Sequence, residues 1–196
     1  AIPAAAMSLF FQKNPFMLYS GQEFGEKGMD KEGFSGRDGR TTIFDYWSPE
    51  TLTHAYQEGE EEAYTAEQKY LAATYRQLLR LANEEKALRE GDTFDLMYVN
   101  PGSEGFDPRT NFAFLRKKDN EVMLIVLNFA QEARQLQVCI PGHAFDFFQI
   151  TEEEVLVTEL FSVGKKKVEL KRDGVFPILM DANGVRIYKF NVKMEE

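Results

Sequence analysis

The sequence contains a single cysteine among its 196 residues. That residue, Cys139, lies in the segment QLQVCIP, where alternating apolar residues predict a strand with a buried, inert thiol. One cysteine cannot form a disulfide within the chain, so a disulfide-based fold is excluded. The cysteine content therefore leaves the cellular compartment open.

Histidine is nearly as scarce, which argues against a metal centre. The two histidines, His54 and His143, have no cysteine or second histidine near them in the sequence. A zinc-type site needs such ligands at close spacing, so we predict no metal ligand and no cofactor. The oxygen-bearing segments DPRTN and DAN are too sparse to predict a calcium site.

Positively charged residues are also fewer than negatively charged ones. The chain has 23 Lys and Arg against 32 Asp and Glu, which gives a formal net charge of −9. Binding to nucleic-acid phosphates requires clustered Lys and Arg, so we expect no nucleic-acid partner. The one basic run, Lys165–Lys167, follows Gly164, and this position predicts a hairpin turn.

Long apolar runs are absent as well. None reaches the roughly 18 residues of a membrane span, so no span is expected. The first residues, AIPAAAMSLFFQK, lack the basic region of a signal peptide. They also lack an initiator Met, which suggests that the chain begins within a longer protein.

What the sequence does contain supports one or two domains with a real core, since 43% of its residues are hydrophobic. Residues 3–13 predict a helix, because Pro3 suits a first helical turn. Apolar residues on both faces then predict a buried strand over Phe16–Tyr19. A long irregular loop follows over residues 20–63.

The next helix has the clearest signature. Thr65 and Gln68 form a capping box at its start, and the helix is expected to end near Asn83. Its apolar stripe has helical spacing. The stripe consists of Leu71, Tyr75, Leu78, Leu79 and Ala82.

From Thr93 onward the hydrophobic period changes to 2, which predicts an antiparallel sandwich of short strands separated by turn residues. The predicted strands are Phe94–Val99, Asn111–Lys117, Val122–Asn128, Gln135–Ile140, Val155–Phe161, Val168–Leu170, Phe176–Met180 and Val185–Val192. We expect a sandwich of this size to use its aromatic residues for its own core rather than for binding. These aromatics are Tyr98, Phe106, Phe145, Phe147, Phe148 and Tyr188.

Four segments together resemble the α-amylase-type glycoside hydrolases of family 13. PFMLYSGQEFGE resembles the last barrel strand and its Tyr-x-Gly-Gln-Glu-x-Gly turn, with Tyr19, Gly21, Gln22, Glu23 and Gly25 in the matching places. GRTTIFDYW resembles the Arg-Thr-x-x-x-x-Trp stretch that follows. ALREGD resembles the link after the eighth helix, and FAFLRKKDNEVMLIVLNFA resembles the start of the C-terminal β-domain.

The resemblance implies an α+β chain with two parts. Residues 1–90 would be the terminal helix–strand–loop–helix piece of a (β/α)8 TIM barrel, and residues 91–196 an all-β antiparallel sandwich. A complete barrel takes about 250 residues, so the barrel would be incomplete. Barrel strands end at the rim where such enzymes build their active sites, which explains why the apolar run continues into acidic residues.

The resemblance also implies candidate substrate-binding residues near this rim, namely Gln22, Glu23, Arg40 and Trp47. Arg40 either donates to sugar hydroxyls or forms an ion pair with a neighbouring acid. Trp47 either stacks on a sugar ring or packs the loop against the barrel.

No catalytic residue is predicted within the chain. Retaining glycoside hydrolysis needs two carboxyl groups about 5 Å apart. The resemblance places the catalytic carboxylates on earlier barrel strands, upstream of Ala1, and a calcium site in the parent enzyme would also lie mostly upstream. Glu23 alone has no predicted catalytic partner, and the simpler reading is a structural carboxylate held by hydrogen bonds.

Two functional hypotheses follow from the sequence. The chain is either the C-terminal segment of a hydrolase acting on α-glucans such as starch and maltooligosaccharides, or a non-catalytic carbohydrate-binding or interaction module. In both, an apolar strand without neighbours needs cover. We therefore expect the rest of the barrel or another chain to cover residues 1–20.

Overall fold

The computed structural model describes residues 1–19, 21–25, 64–161 and 164–193. Two compact units are present. One consists of Ala1–Asn14 and Leu78–Glu196, and the other is Pro15–Gln77. Within the described residues, no helix is both long enough and apolar enough to cross a membrane.

The described residues contain four α-helices, of which only the first two were predicted from the sequence. They are α1 (Ile2–Phe10), α2 (Ala66–Glu84), α3 (Lys86–Glu90) and α4 (Gly142–Phe148), together with a 3₁₀ helix at Gln22–Phe24. The capping box of α2 forms as expected. Gln68 donates its backbone N–H to Thr65 Oγ1 at 3.2 Å, and Thr65 N–H donates to Gln68 Oε1 at 2.9 Å.

The β-rich half is an antiparallel sandwich, as the alternating pattern predicts. Its strands are β1 (Asp92–Asp95), β2 (Asn111–Lys118), β3 (Glu121–Asn128), β4 (Arg134–Ile140), β5 (Glu153–Glu159), β6 (Gly164–Leu170), β7 (Gly174–Met180) and β8 (Val185–Asn191). Among the described residues they form one six-stranded sheet, ordered β1-β2-β3-β8-β5-β6, and one two-stranded sheet of β4 and β7. Alternate residues of both sheets enter a shared hydrophobic core.

The central strands β2 and β3 are buried on both faces. In β3, Leu124 and Val126 belong to the core shared with β4 and β7. The intervening residues Ile125 and Leu127 are also fully buried, because helix α1 contacts β3 and β8. Both faces of these central strands are therefore covered within one unit, and the strands are almost continuously apolar.

A buried arginine joins the helices to this sheet. Arg116 of β2 is fully buried and donates hydrogen bonds to three backbone carbonyls. Its Nη1 donates to Phe10 O at 2.7 Å, and its Nη2 donates to Leu88 O at 2.9 Å and Gly91 O at 2.8 Å. These carbonyls lie at the C-terminal ends of α1 and α3, where helices carry unpaired acceptors and negative potential. Burial lowers the pKa of Arg116, and nearby Asp92 opposes this shift.

The predicted strand Phe16–Tyr19 does not form, so this prediction is wrong. Residues 15–19 have no regular secondary structure, and Met17 is 83% exposed. A barrel strand is held by a neighbouring strand on each side. None of the described strands pairs with this segment, so its apolar composition alone does not give it a strand conformation.

Three further segments differ from the sequence predictions. The first strand ends at Asp95 instead of Val99 because the chain turns at residues 97–99. The segment Gly142–Phe148 is a helix that the sequence analysis missed; its buried residues Ala144, Phe145 and Phe148 have helical spacing. Lys165–Lys167 lie within β6 rather than in a turn, at the sheet edge, where lysines oppose pairing with other chains.

We predict that Arg116→Met destabilises the protein by about 3 kcal/mol, because three buried carbonyls lose their donor. Arg76→Met is the matched control, since Arg76 is exposed on α2, and its effect should stay within about 0.5 kcal/mol. Urea denaturation measures both free energies of unfolding. Equal effects of the two substitutions would show that the Arg116 hydrogen bonds do not support the fold.

Candidate functional site

The candidate site is the turn that follows residues 15–19. Its 3₁₀ helix, Gln22–Phe24, lies between two glycines with positive φ, namely 83° at Gly21 and 72° at Gly25. Glycine adopts these left-handed conformations without the strain that a β-carbon would add. The two glycines of the sequence motif therefore occupy the positions where the backbone has a positive φ.

Gln22 is fixed by hydrogen bonds at both ends of its amide. Its Oε1 accepts from the Tyr19 backbone N–H at 3.3 Å, and its Nε2 donates to the Tyr75 hydroxyl at 2.8 Å. Tyr75 belongs to α2 and is only 1% exposed. Gln22 is half-buried, so its first role is to join this turn to α2.

Glu23 is the unusual member of the site. Its side chain is half-buried, and its Oε2 atom is buried with no hydrogen-bond partner among the described residues. A buried carboxylate oxygen without a donor costs free energy. The sequence analysis interpreted Glu23 as a structural carboxylate held by hydrogen bonds. Among the described residues, none donates a hydrogen bond to this oxygen.

The other two candidates, Arg40 and Trp47, lie outside the described residues. At the end of the described turn, Phe24 stacks on Tyr64 with ring centroids 4.7 Å apart and planes 3° apart. The structure therefore brings together Gln22, Glu23 and an aromatic pair. The contact with Tyr75 is the one that sequence reasoning missed, because the stripe pattern assigns Tyr75 only to the core.

The acids in the segments weighed for calcium are paired with arginines instead. Asp107 of DPRTN accepts from Arg109 Nε at 3.0 Å and Nη2 at 2.9 Å. These hydrogen bonds from Arg109 lower the pKa of Asp107 to about 2. Asp181 of DAN pairs with Arg186 at 2.9 Å. Within the described ranges, no group of three or more His, Cys, Asp or Glu residues has the arrangement of a metal site.

Neither a protein-family model nor a curated protein matches the sequence. Solved structures do match. The α-amylase of Geobacillus thermoleovorans, in complex with acarbose, is similar over 98% of this chain and 34% of its own, with 16% identity and a TM-score of 0.57. The maltogenic α-amylase AmyB of Thermotoga neapolitana is similar over 98% and 36%, with 15% identity and a TM-score of 0.57.

A third similar structure is the trehalulose synthase MutB of Pseudomonas mesoacidophila, over 97% of this chain and 38% of that one, with 16% identity and a TM-score of 0.52. At such identities the likeness shows the fold. It confirms the predicted α+β fold and its resemblance to the C-terminal part of α-amylase-type glycoside hydrolases. The chain spans 34–38% of the length of these three structures.

We predict that Gln22 and Tyr75 stabilise the protein as a pair. Gln22→Ala and Tyr75→Phe should each destabilise it, and the double variant should lose less than the sum by about 1 kcal/mol, because either change removes the same hydrogen bond. A double-mutant cycle in urea measures this coupling. Strict additivity would mean that the hydrogen bond contributes nothing.

Proposed function

We propose that the chain is the C-terminal segment of an α-amylase-like glycoside hydrolase that acts on α-glucans. The observation that carries the proposal is the likeness in fold, over nearly the whole chain, to two α-amylases. One of them was solved with acarbose, and a further similar structure, AmyP, was solved with maltose. An α-glucan or a derived oligosaccharide is therefore the proposed ligand class.

We assign a separate role to each of the two predicted domains. Residues 1–90 contribute the end of the catalytic barrel, and residues 91–196 form a supporting β-domain. The chain spans about a third of each similar enzyme, and we propose that the catalytic carboxylates lie on the part of the protein outside this chain. A calcium ion, if the parent enzyme uses one, would also be held there.

Within the chain, the turn at Gln22 and Glu23 is the proposed wall of the substrate cleft, together with Arg40 and Trp47. The buried Oε2 atom of Glu23 supports this role because it lacks a donor among the described residues. Either a donor from the rest of the barrel or a substrate hydroxyl would satisfy it. The exposed side chain of Met17, next to this turn, likewise fits a segment that the rest of the barrel covers.

We expect the 196-residue chain alone to release no reducing sugar from starch, whereas the product of the full reading frame that encodes it does. Two opposed carboxylates are needed for the reaction, and the proposal places them outside this chain. A reducing-sugar assay with product analysis measures both. Activity of the short chain, or an inactive product of the full reading frame, would contradict the proposal.

In the product of the full reading frame, Glu23→Gln should raise KM for maltooligosaccharides about tenfold and change kcat less than about threefold. One hydrogen bond to a charged group has this magnitude, and Glu23 is proposed to contact the substrate or its cleft wall rather than the reacting atoms. The control is Glu67→Gln, at an exposed position in the first turn of α2. A large fall in kcat with unchanged KM would instead assign Glu23 to the chemical step.

A further inference from the structure

Two aromatic side chains of the β-domain are not used for its core. Tyr98 is 57% exposed and Phe147 is 53% exposed. The other four aromatics predicted to serve the core are all buried, namely Phe106, Phe145, Phe148 and Tyr188. The prediction is thus confirmed for four residues and wrong for two, and the two exceptions are neighbours in space.

Both exposed rings contact the same buried ring. The centroid of Phe94 lies 6.2 Å from that of Tyr98 and 5.5 Å from that of Phe147. His143 also packs edge-on against Phe94, at 5.7 Å. His143 and Phe147 are four residues apart on α4 and so share a helix face. We call the three exposed side chains, Tyr98, His143 and Phe147, the aromatic patch.

The aromatic patch carries hydrogen-bonding groups beside its rings. The Tyr98 hydroxyl lies 3.5 Å from His143 Nδ1, which is at the limit of a hydrogen bond and leaves both groups able to bind a ligand. Partial desolvation raises the pKa of Tyr98 although the residue is 57% exposed, with smaller contributions from Cys139 and Asp173. Its hydroxyl is therefore a neutral donor at physiological pH.

The carboxylates next to the aromatic patch are held by groups of the protein itself. Asp146, on the same helix, forms an ion pair with Arg172 at 2.7 Å. A second carboxylate near Tyr98, that of Asp173, accepts a hydrogen bond from the Gly142 backbone N–H at 2.9 Å. An uncharged ligand with an apolar face and several hydroxyl groups fits these features best.

We propose that the aromatic patch binds a pyranose ring of an α-glucan. The C–H bonds on one face of a pyranose suit the electron-rich face of an aromatic ring, and its hydroxyl groups suit the Tyr98 hydroxyl and the His143 imidazole. The exposed rings and the adjoining polar groups support a sugar ligand, whereas the choice of an α-glucan over other sugars rests on the proposed function.

The size of the aromatic patch argues against a protein partner. An aromatic side chain presents roughly 150–250 Å², so two half-exposed rings offer about 200 Å². A stable protein interface buries about 800 Å² on each partner. The available area suits one or two sugar rings instead.

The test is binding of β-cyclodextrin to the 196-residue chain by titration calorimetry, together with electrophoresis in gels that contain amylose. We expect the chain to be retarded by amylose. Tyr98→Ala and Phe147→Ala should each weaken binding at least about tenfold, the scale of losing one stacked ring. Tyr98→Phe keeps the ring and should weaken binding less than Tyr98→Ala.

Tyr70→Ala is the matched control, because Tyr70 is 66% exposed on α2 and lies outside the aromatic patch. It should leave binding unchanged. Circular dichroism checks that each variant is folded. A second readout uses the unaltered chain. β-Cyclodextrin should shift the NMR signals of the His143 imidazole, and the His143→Gln variant identifies those signals.

Three results would overturn the proposal: no retardation of the unaltered chain, binding that survives both ring deletions, or unshifted His143 signals at saturating β-cyclodextrin. Each concerns binding by this chain alone. Failure here is therefore distinguishable from failure of the proposed function, which depends on starch hydrolysis by the product of the full reading frame.

Discussion

The hydrogen bonds of one buried guanidinium hold helices α1 and α3 to the central sheet. Arg116 is fully buried, and its guanidinium donates to three carbonyls at the ends of these helices. A charge buried in this way is tolerated because each carbonyl it contacts lacks a partner in its own helix. The cation thereby replaces water at two helix ends, and it requires Phe10, Leu88 and Gly91 to meet at one point. The first 14 residues belong to the same compact unit as the described strands, and the bond from Arg116 to Phe10 is one of the contacts that join them.

Much of this fold was predictable because the relevant signals are local. Strand alternation located all eight described strands, and the turn residues lie where the backbone needs them. Asp119, Asp173 and Asn183 have φ values of 49°, 57° and 48°, which Asp and Asn adopt more readily than most residues. Other features depend on interactions between distant residues. Phe16–Tyr19 has the composition of a strand but no partner strand among the described residues. Arg116 follows the apolar residues of its strand in the sequence, and nothing local indicates the three carbonyls that it binds.

The candidate site also combines local features, which the sequence predicts, with a long-range contact, which it does not. Its two glycines and the 3₁₀ turn between them follow from local backbone geometry, so the motif was sufficient to locate Gln22 and Glu23. The link from Gln22 to Tyr75 joins residues 53 positions apart, and no local pattern encodes it. A buried tyrosine in an apolar stripe shows only that its ring is packed. Whether its hydroxyl has a partner depends on which segment lies against that face of α2.

Glu23 and the aromatic patch differ physically. Glu23 has a buried polar atom without a donor among the described residues, whereas the aromatic patch is exposed. The Glu23 oxygen is already removed from water and has no donor among the described residues, so it costs free energy unless a donor is supplied from elsewhere. Tyr98 and Phe147 remain in water, so they cost little while free and gain free energy when a ligand covers them. Under the proposed function, the donor to Glu23 comes from the rest of the enzyme or from a substrate hydroxyl. The aromatic patch requires nothing for folding, which is why it can be tested in the isolated chain while the role of Glu23 cannot.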